Sequence, residues 1–223
     1  MQRSVVVIGL GRFGTAVALE CMRLGHEVLA VDRDEQRVND LAAEVTHALQ
    51  LDATDEQALR QAGAGELDVA VVAITDEAEP SIFATMALKR LGVREVVATA
   101  GTSLHAEILE RVGADRVVYP EREMGQRVAH ILGVPDVVDY LDIAPRFGIV
   151  RARAPRPFVG RTLAELDLPR RLGLSLVAIR RGDRVTISPP PDERISEGDD
   201  LILIGRDDRL DAIDDAAPRA ERG

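Results

Sequence analysis

The chain has 223 residues, 46% hydrophobic and 30% charged, with a formal net charge of −10. This is the balance of a folded chain, long enough for one large domain or, the better match, two modest ones. The negative charge argues against a nucleic-acid partner, because binding a phosphate backbone relies on a positive field. No apolar run approaches the roughly 20 residues that span a bilayer, and the N-terminus enters a strand without a signal-peptide pattern, so a soluble cytoplasmic protein is expected.

In chain order, short apolar strands are expected near Val5–Ile8, Val28–Val31, Thr46–Leu49, Val69–Ile74, Val96–Ala98 and Val117–Tyr119. Between them the periodicity predicts helices near Phe13–Arg23, Glu35–Ala43, Glu56–Ala62, Ser81–Leu91 and Leu104–Val112. This alternation specifies a doubly wound parallel sheet, and strands of nearly continuous Val and Ile fit burial under helices on both faces. A sixth helix is expected over Glu121–Leu132, followed by a short apolar segment, Val137–Ile143. Beyond Phe147, prolines punctuate short strands near Ile149–Arg153, Ser175–Ile179, Val185–Ile187 and Leu201–Ile204, with small helices at Leu163–Leu166 and Asp207–Ala212. The organisation read from this pattern is a Rossmann-like domain over 1–134, a linker over 135–146, a small α+β domain over 147–215 and a frayed tail over 216–223.

The chemistry concentrates in the first strand–turn–helix–strand unit. V-V-V-I-G-L-G-R-F-G places Gly9, Gly11 and Gly14 between an apolar strand and a helix, with Leu10, Arg12 and Phe13 in the turn, and a second strand ends at Asp32. The three glycines serve tight turning, close backbone approach to phosphate, and close helix–strand packing. The helix directs free N–H groups and its positive dipole end at the turn. Asp32 lies about 20 residues past the central glycine, where its carboxylate accepts both ribose hydroxyls and repels a 2′-phosphate, which argues against NADP. The motif alone is weak, since glycine turns also occur without ligands, but its context supports adenine-nucleotide binding.

Other residues carry less. The single cysteine, Cys21, excludes an internal disulfide and reads as a small apolar helix residue. His26, His47, His105 and His130 lack zinc-ligand spacing. Lys89 is the only lysine.

Three stretches resemble the regulatory subunits of bacterial potassium-uptake systems of the KtrA and TrkA type, built from RCK (KTN) domains. They are L-G-R-F-G at Leu10–Gly14; G-A-D-R-V-V-Y-P-E at Gly113–Glu121 followed by Met124-Gly125; and V-G-R-T-L-A-E-L-D-L from Val159 with G-L-S-L-V-A-I from Gly173 and a final strand ending at Gly205. The resemblance covers essentially the whole chain, and one copy of each domain favours a KtrA-like subunit.

The resemblance implies a homodimer assembled into a ring, commonly octameric, beneath a membrane potassium-translocating subunit of the KtrB or TrkH type and gated by ATP against ADP. It places Arg12 on phosphate across a subunit interface, the alternative being a solvated arginine. It sets Asp52 and Ala53 beside the adenine, where Thr54 or Asp55 also suits a helix N-cap. Ile74-Thr75-Asp76 ends the fourth strand, at the crevice edge where ligands sit in such sheets. Arg33 either lies over the adenine or is simply exposed. Glu121 is implied as a ligand, paired by symmetry, for a divalent cation such as Mg or Ca, or else is an ordinary first-turn residue.

Thr99 stands where many relatives carry a base that reaches phosphate, which keeps NAD(H) and AMP open beside ATP and ADP. Pro169 stands where some relatives use an arginine for cyclic di-AMP, so that ligand does not carry over directly. A regulator of a cation/proton antiporter is the alternative. A nicotinamide-dependent oxidoreductase is less favoured, because neither Tyr119 nor Tyr140 has a lysine four residues on.

Overall fold

The computed structural model describes residues 2–133 and 136–210, and the chain divides into two compact units, Met1–Glu121 and Arg122–Gly223. The first unit runs β1 (Ser4–Ile8), α1 (Arg12–Arg23), β2 (Glu27–Asp32), α2 (Glu35–Leu41), β3 (His47–Gln50) and α3 (Glu56–Gln61), then β4 (Val69–Val72), α4 (Ala78–Arg90), β5 (Glu95–Thr99), α5 (Ser103–Arg111), β6 (Arg116–Val118) and the start of α6 (Pro120–Gly133). Its six strands are all parallel in the order β3-β2-β1-β4-β5-β6. This is the doubly wound order expected of the alternating pattern, and it puts the topological switch point between β1 and β4.

Burial on both sheet faces explains the unbroken Val and Ile runs. Val6 and Ile8 of β1 join a core with Leu59, Leu88 and Leu109, while Val5 and Val7 face the opposite core with Leu10, Ala18, Val28 and Leu41. Each buried Val, Leu or Ile contributes about 1.5–3 kcal/mol relative to exposure. Helix starts follow local chemistry: Asp34 caps α2 through the Gln36 N–H, and Asp55 caps α3 through the Gln57 and Ala58 N–H groups. Lys89, near the end of α4, donates to the Val93 and Arg94 carbonyls and to Asp115 at 3.0 Å.

β4 stops at Val72, short of the expected Ile74, because the chain leaves the sheet at Ala73. The Ala73 N–H still donates to the Ile8 carbonyl at 2.7 Å, and its own carbonyl fits against the turn at Gly9.

The second unit holds most of α6, then β7 (Val137–Ala144), β8 (Phe147–Arg153), α7 (Leu163–Leu166), α8 (Leu168–Leu172), β9 (Ser175–Arg181), β10 (Arg184–Ile187), β11 (Asp200–Arg206) and α9 (Asp207–Leu210). Its sheet is antiparallel, in the order β10-β9-β11-β8-β7, over a core that includes Phe158, Leu166, Leu174, Ile195, Leu201 and Leu203. A capping box between Thr162 and Glu165 starts α7.

The expected linker over 135–146 differs from what forms. Residues 137–144 make β7, an edge strand of the second sheet, and this unit begins at Arg122 and not at Phe147. The reason is packing. Val137 and Tyr140 are buried, the Tyr140 hydroxyl donates to Asp207 at 2.9 Å, and Gly148 on β8 leaves room for the ring. From α6, Arg127 donates to both oxygens of Asp139, and His130 stacks on Tyr140 with centroids 3.9 Å apart. The expected Asp207–Ala212 helix is described as far as Leu210, and the tail over 216–223 lies outside the described residues.

Candidate functional site

The C-terminal ends of β1, β2, β3 and β4 surround a cleft of about 520 Å³, a size suited to a small-molecule ligand. Of the residues singled out from the sequence, Gly9, Gly11, Arg12, Phe13, Asp32, Arg33, Asp52, Ala53, Ile74, Thr75 and Glu121 line it. Leu10 and Gly14 do not. Leu10 is buried beneath the turn and Gly14 is packed inside the unit.

The three glycines separate by cause. Gly9 has φ +91°, and a Cβ there would lie 2.7 Å from the Ala73 carbonyl oxygen. A Cβ on Gly14 would overlap the Gly9 carbonyl oxygen. Both are therefore demanded by the chain itself. Gly11 is not: its φ is an ordinary −69°, and nothing lies within 4 Å of where a Cβ would sit. It occupies the N-cap of α1, a position that favours Ser, Thr, Asp or Asn, yet here no side chain caps the helix. The first turn of α1 contains no acidic residue, so its free N–H groups and dipole remain available to an anion.

Asp32, at the end of β2, is only 6% exposed. Its Oδ2 accepts the Leu10 N–H at 2.6 Å, its Oδ1 accepts the Asp34 N–H at 2.9 Å, and the Arg37 guanidinium lies 3.5 Å away. A carboxylate offers about four lone-pair directions, so both oxygens retain accepting capacity. The carboxylate that reads as a ribose ligand is therefore also the brace of the glycine turn.

Three arginines reach the cleft. Arg12 is exposed at the start of α1 and has no ion-pair or hydrogen-bond partner among the described residues. Arg33 is committed, its two terminal nitrogens donating to the two oxygens of Glu77. Arg37 is shared between Asp32 and Asp34. Glu77 and Arg37 escaped the sequence reading. Arg37 had a usable signal, three residues past a helix N-cap on the face nearest Asp32, whereas Glu77 lies 44 residues from Arg33 and had none.

Asp52 accepts both the N–H and the hydroxyl of Thr54, which hold its carboxyl below the ordinary range. Asp55, and not Thr54, caps α3. Thr99 is fully buried and lies outside the cleft lining. It accepts the Thr75 hydroxyl at 2.9 Å and donates to the Val72 carbonyl, tying the end of β5 to the loop after β4. Glu121 brings one carboxylate to the cleft. No group of three His, Cys, Asp or Glu placed to hold a metal occurs among the described residues.

Six lining carboxylates face three guanidiniums, so the cleft wall is acidic overall although its glycine turn favours an anion. No helix among the described residues is long and apolar enough to cross a membrane.

The TrkA-N domain model matches residues 5–120 and the TrkA-C domain model residues 148–217. The chain is 39% identical over 205 residues to Ktr system potassium uptake protein C of Bacillus subtilis, spanning 92% of this chain and 93% of that protein. It is 35% identical over 203 residues to Ktr system potassium uptake protein A of the same organism, spanning 91% of each. The TrkA-N domain of the inner membrane protein ybaL from Escherichia coli shares the fold, with a TM-score of 0.51 at 17% identity over 56% of this chain and 93% of that domain. A Rossmann-ordered unit with a glycine–aspartate cleft, followed by a TrkA-C unit, thus identifies the chain as a member of the Ktr/Trk family of potassium uptake proteins.

Proposed function

We propose that this chain is the cytoplasmic nucleotide-sensing subunit of a potassium-uptake system, and not an enzyme. It holds an adenine nucleotide in the cleft after β1 and passes the ligand's identity, as a change of shape in a ring of copies, to a membrane potassium-translocating subunit of the KtrB or TrkH type. The observation that carries this reading is Gly11: a missing side chain that the fold does not need, at the one point of the turn where a ligand phosphate needs close backbone approach. The unpartnered Arg12 beside it supplies a charge-assisted donor.

ATP and ADP are the proposed ligands, with NAD(H) and AMP as alternatives. A γ-phosphate supplies the differential interaction energy that shifts a conformational equilibrium. The acidic lining means that a polyphosphate requires added positive charge. A divalent cation between symmetry-paired Glu121 residues of a dimer meets that requirement, because two facing carboxylates repel unless a cation bridges them. Cyclic di-AMP is proposed for the second unit only as a ligand to test, since Arg170 and Arg171 lie beside Pro169 in α8.

Native mass spectrometry of the purified protein, with ATP, ADP, NADH and cyclic di-AMP added in turn, tests the reading. An oligomer that retains adenine nucleotides is expected, and a monomer that binds none of them overturns it. The sharper variant is Gly11→Ala, expected to keep the fold and to lower ADP affinity by about a hundredfold, as loss of close approach to a phosphate implies. Unchanged ADP affinity in that variant would remove the observation on which the reading stands. Asp32 is a poorer position to vary, because its loss also strands the buried Leu10 N–H.

A further inference from the structure

In the sheet order, β2 and β4 flank β1, so Arg33 and Glu77 sit on the loops at either side of the glycine turn. Their ion pair joins those loops through two parallel hydrogen bonds. Glu77 occupies the N-cap position of α4, where a short polar side chain ordinarily accepts a first-turn N–H, yet it makes no capping bond. Its carboxylate is turned to Arg33 instead.

An arginine beside the ribose-holding carboxylate is the group with which a dinucleotide fold accommodates a 2′-phosphate. This cleft has two, Arg33 and Arg37, and Arg37 already lies 3.5 Å from Asp32. Asp32 is therefore partly neutralised, and its charge alone is a blunted barrier. Were both guanidiniums free, the site would invite a 2′-phosphate. Resting on the proposed nucleotide reading, we infer that Glu77 is a specificity-determining residue that restricts the site to nucleotides with an unmodified ribose 2′-hydroxyl. It does so by engaging both ends of the Arg33 fork, which keeps that guanidinium from a 2′-phosphate.

The pair is exposed, with side chains 67% and 49% accessible, so it is screened by solvent and its effect is moderate. Isothermal titration of the full chain with ADP and with adenosine 2′-phosphate 5′-diphosphate measures the penalty for the extra phosphate as a ratio of dissociation constants. In Glu77→Gln that ratio should fall about tenfold, because Arg33 becomes free to pair with the phosphate. In the double variant Glu77→Gln with Arg33→Gln it should return most of the way towards the wild-type value. A ratio unchanged in Glu77→Gln overturns the inference. So does an equal fall in the double variant, which would trace the effect to charge at position 77 and not to release of Arg33. Failure of the unaltered protein to bind ADP sinks the nucleotide reading itself, whereas ADP binding with an unmoved ratio sinks only the role of Glu77.

Discussion

Around the cleft of the first unit, two ion pairs lie open to solvent: Arg33 with Glu77, and Arg37 with Asp34, join side chains that are about half exposed or more, while Arg37 also reaches the buried Asp32. In the second unit Asp199 is fully buried and accepts two hydrogen bonds from Arg181 and one from the Ser196 N–H, while Asp200, 7% exposed, accepts from Arg180. Exposed pairs of the first kind are worth little to stability and exchange readily for a ligand. A carboxylate buried among its partners is costly to disturb, because removing one partner strands a charge out of water. The exposed pairs of the first unit leave charge exchangeable at the cleft rim, whereas the buried carboxylates of the second unit fix the chain.

The strongest way to break this contrast is at backbone packing in the first unit. Gly14→Ala pushes a methyl group into the Gly9 carbonyl and should cost about 3 kcal/mol, read as a lowered urea midpoint with protection lost across the parallel sheet. Next, Arg181→Met leaves Asp199 buried and without its guanidinium. The half-exposed position of Arg181 lowers the expected loss to about 2 kcal/mol, confined to the second unit by hydrogen exchange. A loss spread evenly over both units would erase the contrast.

A smaller effect distinguishes the units by pH. His105, in the first turn of α5, is buried with its Nε2 unpartnered among the described residues, and burial pushes its imidazole below the ordinary value. The unfolded chain therefore binds a proton more readily than the folded one, and stability declines as pH falls below about 6.5, with a slope of at most about 1.4 kcal/mol per pH unit. Arg181 holds the Asp199 carboxyl below its ordinary range, so that contribution is complete above pH of about 4 and is lost as pH falls through the depressed folded value. On acidification the first unit should weaken before the second, and His105→Leu should remove the earlier limb. Identical pH profiles for that variant and the unaltered protein would reject the assignment.

The doubly wound sheet was readable because each parallel strand is buried on both faces and so leaves an uninterrupted Val or Ile run, as at Val5–Ile8. β7 was not. Its outer half, Leu141–Ala144, is exposed, and its place in the sheet is set by β8, by the gap at Gly148 and by the reach of Tyr140 to Asp207, none of them local signals. At the cleft, the glycine spacing and Asp32 were readable because one βαβ unit contains them. Glu77 was hidden because only the sheet order brings the loops after β2 and β4 to either side of one turn. Thr99 stands in the sequence as an absent phosphate contact, whereas the fold uses it as a hydroxyl link between β5 and Thr75.

The short bond from the Leu10 amide to Asp32 sets what a footprint of this site will show. That amide is buried and already satisfied before any ligand arrives, so it should exchange slowly with deuterated solvent in the empty protein and change little on binding. The turn is pre-organised, and occupancy will be reported by the amides at the start of α1, Arg12 and Phe13, which line the cleft and have no intrahelical acceptor. A mapping experiment that averages over a peptide spanning both kinds of amide would record half a signal and mistake a tight site for a loose one.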